Sequence, residues 1–214
     1  MAQEISHLGA RQNYDRLSRF YDSFSGGERS LSKTALELLA LQPGENILEI
    51  GFGTGHALLE MAHAVGGHGR VEGIDLSPGM LAVANRRVLH SGLAGNISLQ
   101  VGDATCLPFP EPRFQAAFMS FTLELFSTTE IPLVLAECRR VLVPGGRLGV
   151  VSLARKDTRM VSYYEWFHAR YPRLIDCRPI HVHQVLEEAG YIILQTLEKS
   201  LWGLPVEIVV AKKP

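Results

Sequence analysis

The run Leu48-Glu49-Ile50-Gly51-Phe52-Gly53-Thr54-Gly55-His56 is the strongest chemical signal in this chain. It follows a short apolar segment and opens a helical one, where a chain needs positive φ and close backbone approach to a ligand. Taken alone, Gly-x-Gly-x-Gly also suits a dinucleotide site. The dinucleotide pattern, however, wants its third glycine one residue later, where His56 stands. Glu49 sits two residues before Gly51 and brings a carboxylate beside the glycines. A phosphate is repelled there and an amine is attracted, so a ligand with an amino-acid end is favoured over a pyrophosphate. Asp75 lies 24 residues beyond Gly51, at the end of the next apolar run, and can accept both hydroxyls of a ribose. Asp103 follows a third run and can accept from the amino group of an adenine. Three successive strand ends thus suit the tail, sugar and base of one nucleoside.

Other polar residues carry weaker signals. Glu124 follows a fourth apolar run, close to where an acceptor would sit, and is a candidate base. Of eight histidines, His168 and His181 flank a segment that could face an acceptor, and His181 is the second catalytic candidate. His181 and His183 do not complete a zinc ligand set, so no metal is expected.

These residues need elements to hold them. Short Val- and Ile-rich runs alternate with helical periodicity, the pattern of a parallel sheet with crossover helices. Seven strands are expected: 46–51, 70–75, 96–101, 115–120, 147–153, 191–196 and 206–211. Between them, Ala57, Leu58, Met61, Ala62 and Val65 form one apolar stripe, ended by Gly66-Gly67. Ser77-Pro78 reads as an N-cap followed by a first-turn proline. Val134, Leu135, Cys138, Val141 and Leu142 repeat the helical period before Pro144-Gly145-Gly146, and Gly190 closes a last helix. The short link 202–205 fits a final hairpin, because a parallel return needs a longer crossover. Two stretches break the alternation. In residues 1–40, Tyr14, Leu17, Tyr21 and Phe24 sit at helical spacing ahead of Gly26-Gly27. In residues 155–180, Met160, Tyr164, Phe167 and Tyr171 share one face. Both are expected to be helical covers over the ligand-binding edge of one 214-residue domain.

Composition narrows the class. With 46% hydrophobic and 20% charged residues, the chain is neither disordered nor fibrous. A net charge of −1 lacks the basic excess of a nucleic-acid binder. Three cysteines without paired spacing suit a reducing compartment. Met1-Ala2-Gln3-Glu4 has no basic, apolar leader, and no apolar run approaches the ~18 residues of a membrane span. A cytoplasmic location is expected.

Four motifs in order resemble the class I S-adenosylmethionine-dependent methyltransferases, in the broad group that includes the ubiquinone and menaquinone C-methyltransferases. They are LEIGFGTGH at 48–56, GIDLS at 73–77, GDA at 102–104 followed by Leu107-Pro108-Phe109, and RRVLVPGGRL at 139–148. Tyr14-Asp15 and Tyr21-Asp22 are similar to the paired Tyr-Asp of that group. The resemblance implies a Rossmann-like, doubly wound α/β fold with strand order 3-2-1-4-5-7-6, mostly parallel, the last strand antiparallel. It implies S-adenosyl-L-methionine as cofactor, held by Tyr21, Glu49, Gly51, Gly53, Gly55, Asp75, Leu76, Met80, Asp103, Ala104 and Ser120. The expected reaction is methyl transfer to a small-molecule acceptor. A quinone does not carry over. That group has a glutamate near the end of the strand where this chain has Val150-Val151-Ser152-Leu153, and Met-Asn where it has Ser23-Phe24. A non-catalytic S-adenosylmethionine-binding protein and a nicotinamide-dependent oxidoreductase remain the alternatives.

Overall fold

The computed structural model describes residues 26–156 and 178–214. Tyr14, Tyr21, Phe24, Tyr164, Phe167, His168 and Tyr171 lie outside the described residues. The elements run α1 (Gly26–Leu39), β1 (Asn46–Ile50), α2 (His56–Val65), β2 (Arg70–Asp75), α3 (Pro78–Ser91), β3 (Ile97–Val101) and β4 (Phe114–Ser120). A 3-10 turn (Leu123–Leu125) follows, then α4 (Ile131–Val141), β5 (Leu142–Leu153), α5 (Val182–Glu188), β6 (Ile192–Leu201) and β7 (Leu204–Lys212). The seven strands form one sheet in the order β3-β2-β1-β4-β5-β7-β6, as expected. Pairing is parallel from β3 through β5, and β7 runs antiparallel to both of its neighbours.

Strand alternation divides the core into two faces. Leu48, Ile50, Ala117, Met119, Leu148 and Val150 pack under α4, α5 and the segment from Ala104 to Phe109. Ile47, Ala116, Phe118, Val151 and Val210 pack under α1, α2 and α3. By the same two-residue period, Glu49 and Ser120 belong to the second face, which α1 covers. That helix commits Leu31, Ala35, Leu36 and Leu39 to the core. Each fully buried side chain of this size contributes about 2 kcal/mol.

The signals at element ends act as expected. The Ser77 hydroxyl accepts from Met80 N–H at 3.0 Å, with Pro78 in the first turn of α3. Gly190, at φ 79°, follows α5 as the left-handed terminator.

Three strands differ from the sequence expectation by more than a residue, and Leu142, expected on the helical stripe of α4, lies in β5. Strands β6 and β7 are longer, and only Trp202 and Gly203 link them, at φ 51° and 84°. Positive φ at both positions gives the turn that matches strand twist. The polar edge-strand sequence Glu198-Lys199-Ser200 hides the extension, since little of β6 is buried. Strand β5 begins at Leu142 instead of Arg147. Leu142 pairs with Phe114 and Arg147 with Ala116, so Val143-Pro144-Gly145-Gly146 bulges out between them.

Candidate active site

A cleft opens at the carboxyl ends of β1, β2, β3 and β4, roofed on one side by the first turns of α1. The glycine turn forms its floor. Gly51 N–H donates to Ile74 O at 2.8 Å and Gly53 N–H to the Asp75 Oδ2 at 2.9 Å, which ties the turn to the end of β2. Ser77 N–H donates to the other Asp75 oxygen at 2.9 Å. Asp75 therefore holds both the turn and the start of α3. Arg87 of α3 adds a contact to Thr54 O.

The glycines have different tasks. Gly53 has φ +51°, and a Cβ there meets nothing within 4 Å, so this position presents bare backbone to the cleft. A Cβ at Gly51 would lie 2.3 Å from Thr122 Oγ1, so the loop after β4 packs directly on this glycine.

Three carboxyl-bearing strand ends line the cleft together: Glu49, Asp75 and Asp103. The Asp103 Oδ1 accepts from Thr105 N–H at 2.8 Å and from its hydroxyl at 2.7 Å, which fixes that side chain. Glu49 is only 3% exposed, and its Oε2 is sealed from solvent without a hydrogen-bond partner among the described residues. Burial first, and the nearby Asp75 carboxylate second, push the Glu49 carboxyl well above the ordinary carboxylate range.

Of the residues expected to bind cofactor, Glu49, Gly51, Gly53, Asp75, Leu76, Met80, Asp103, Ala104 and Ser120 all line this cleft. Gly55 does not. Its Cβ would lie 3.0 Å from the Ala84 Cβ, so it lets α2 approach α3. Tyr21 lies outside the described residues. Neither catalytic candidate lines the cleft. His181 is exposed and stands at the start of α5. Glu124 is buried behind the wall, in the 3-10 turn, with Oε1 accepting from Leu153 N–H at 3.2 Å and Oε2 unpartnered. Burial above all raises its carboxyl to about 7 against the Leu153 and Ser152 hydrogen bonds, with the Glu28 charge adding to the rise.

Sequence reasoning missed the opposite wall. Glu28, Arg29 and Ser32 of α1 line the cleft, and Ser32 Oγ lies 2.7 Å from Ser120 Oγ. Phe121, Thr122, Leu125 and Phe126 complete that side. Phe121 has φ +51°, an uncommon conformation for an aromatic residue, and its N–H is held by Val151 O at 2.8 Å. The only sequence trace of residues 121–126 is their position directly after a strand end, and Glu28, Arg29 and Ser32 leave none.

A methyltransferase domain family matches residues 47–146, the span from β1 into β5. The chain is 32% identical over 188 residues to a demethylmenaquinone methyltransferase of Symbiobacterium thermophilum, covering 79% of this chain and 73% of that one. The chain belongs to the class I S-adenosylmethionine-dependent methyltransferases. It is 31% identical to a 2-phytyl-1,4-naphtoquinone methyltransferase of Synechococcus elongatus, over 71% of this chain and 66% of that one. It is 34% identical to the ubiquinone/menaquinone biosynthesis C-methyltransferase UbiE of Teredinibacter turnerae, over 66% of this chain and 56% of that one. The chain thus spans under two thirds of the length of some relatives. Two solved structures share the fold. The [4+2]-cyclase SpnF has a TM-score of 0.79 at 22% identity, covering 98% and 97% of the two chains. A SAM-dependent methyltransferase from Aquifex aeolicus has 0.65 at 24% identity, covering 85% and 88%.

The cofactor of this family is S-adenosylmethionine, and the residues present fit it. The orphaned Oε2 of Glu49 calls for a donor, and bare backbone at Gly53 leaves room for close approach. Among the described residues no helix is long and apolar enough to cross a membrane.

Proposed function

We propose that this protein transfers the methyl group of S-adenosylmethionine to a small-molecule acceptor, with the whole chain acting as one catalytic domain. The observation that carries the reading is the buried, unpartnered Glu49 carboxyl beside the glycine turn. In this reading Glu49 receives the amino group of the cofactor, Asp75 the ribose hydroxyls and Asp103 the adenine amino group. Bound S-adenosylmethionine supplies an electrophilic methyl group on a sulfonium that is already a good leaving group. The protein's own task is to align the acceptor and exclude water. Phe121, Leu125 and Phe126 give one wall of the cleft an apolar surface suited to that task.

A base is needed only for an acceptor that must lose a proton. The relatives are named for quinone-related substrates, and an apolar wall with Glu28 and Arg29 beside it supports an aromatic acceptor with polar substituents. The departures at Val150–Leu153 and Ser23-Phe24 argue for a different ring or side chain.

Equilibrium titration with S-adenosylmethionine and with nicotinamide dinucleotides separates the cofactor classes. Turnover to S-adenosylhomocysteine across a panel of phenols, naphthoquinols and amines tests transfer. Tight binding without turnover on any acceptor would favour a non-methylating role for the fold, of the kind that the name of the cyclase SpnF indicates for that protein.

A further inference from the structure

The cleft holds two carboxyl groups that cannot both be charged at low cost. Asp75 has an N–H donor on each oxygen, at 2.9 Å from Gly53 and 2.9 Å from Ser77, and bonds of this kind favour the ionised form. Glu49 has no such support at Oε2, which no solvent reaches. An unpaired buried carboxylate next to a second carboxylate is strongly disfavoured, so the two groups settle into one charged and one neutral. The other ionisable groups lining the cleft are Glu28 and Arg29 of α1, His56 of α2 and Asp103 after β3. Burial and the Asp75 charge both raise the Glu49 carboxyl.

We infer that the free protein keeps Glu49 as a neutral acid, and that an amine-bearing ligand is bound with the release of the Glu49 proton to solvent. This rests on the cofactor reading above. The proton balance is simple: a carboxylic acid and a ligand ammonium become a carboxylate–ammonium pair, and one proton leaves for the buffer. Glu49 then selects for the amino-acid tail. A nucleoside without an amine leaves the acid neutral and gains nothing from it. Affinity for tailed ligands rises with pH while the free protein holds the proton, by up to about tenfold per pH unit, until Glu49 ionises unaided or the ligand amine deprotonates.

The test is calorimetric titration of the full chain near pH 6.5, in buffers of different ionisation enthalpy. The two ligands are S-adenosylhomocysteine and 5′-methylthioadenosine, which share nucleoside and thioether and differ in the tail. About one proton released with the first and none with the second is the expected result. Glu49→Gln should bind S-adenosylhomocysteine more weakly and with no buffer-dependent heat. Binding of S-adenosylhomocysteine to the unmodified protein without proton release would overturn the inference and leave the cofactor reading standing. Equal release with both ligands would assign the proton to another group and overturn it too. Failure of both nucleosides to bind would remove the cofactor reading, and the inference with it.

Discussion

Replacing Glu124 by glutamine removes the ionisation of a buried carboxyl while keeping its shape. Burial raises this group to about 7 in the folded protein, against an ordinary 4.5 that serves for the unfolded chain. Each unit of difference is worth about 1.4 kcal/mol, so the gap amounts to roughly 3 kcal/mol. The sign follows from proton binding. Between 4.5 and about 7 the folded state holds the proton and the unfolded state has lost it, so unfolding releases it. Stability from this group is therefore fully present below the ordinary value and is lost as pH rises through about 7. The Glu124→Gln variant has no such loss. Its stability relative to the parent should improve by about 2.5 kcal/mol between about pH 5 and pH 8, since ionisations common to both proteins cancel. Urea unfolding at half-unit pH steps measures this as a midpoint difference that widens by about 1 M across the range. A Glu28→Gln background should narrow it, because the Glu28 charge contributes to the shift. A midpoint difference that stays flat with pH would refute the argument, and would mean that Glu124 is hydrated or paired in solution.

Asp75→Ala should weaken S-adenosylhomocysteine binding at least about tenfold, because the ribose hydroxyls and two backbone N–H groups lose an acceptor together; unchanged affinity in a folded variant would remove the assignment. Gly51→Ala and Gly53→Ala should separate stability from binding. The first collides with Thr122 and should cost about 1–3 kcal/mol of stability, whereas the second has open space and should cost about 1 kcal/mol of strain while cutting cofactor affinity. Thermal melts and titrations of both variants check the contrast, and a Gly53→Ala protein with normal affinity would mean that the turn never touches ligand. His181→Ala should leave turnover within about twofold, since this exposed residue stands at the start of α5 away from the cleft; a loss beyond about tenfold would return it to the reaction.

The acidic strand ends that line the cleft were legible because each is fixed by a parallel strand. A parallel sheet delivers Glu49, Asp75 and Asp103 to one edge whatever the helices do, and the apolar runs mark those ends to within a residue or two. The wall supplied by α1 was not legible for the converse reason. Glu28, Arg29 and Ser32 reach the cleft only because Leu31, Ala35, Leu36 and Leu39 seat α1 on the same sheet face that carries Glu49 and Ser120. That docking depends on packing between segments about 90 residues apart, which no local pattern records. The extension of β6 was hidden by similar logic, because an edge strand with polar residues on both faces lacks the alternation that identifies a strand.

Glu49 and Glu124 show where spacing ends and structure begins. Both follow or end an apolar strand, both are almost fully buried, and both carry an unpartnered oxygen. As sequence they are the same signal, an acid at the ligand-binding edge. Their surroundings give them opposite uses. Glu49 lines the cleft beside a glycine turn and the Asp75 carboxyl, and in the proposed reading its deficit is met by a donor that arrives with the ligand. Glu124 sits one layer deeper, where Leu153 N–H and Ser152 join the turn after β4 to the end of β5. Its deficit faces protein. Phe121 and Thr122 lie between them, one held by Val151 O in a positive-φ conformation and the other against Gly51. The loop after β4 thus packs Thr122 on the glycine turn two residues before Glu124.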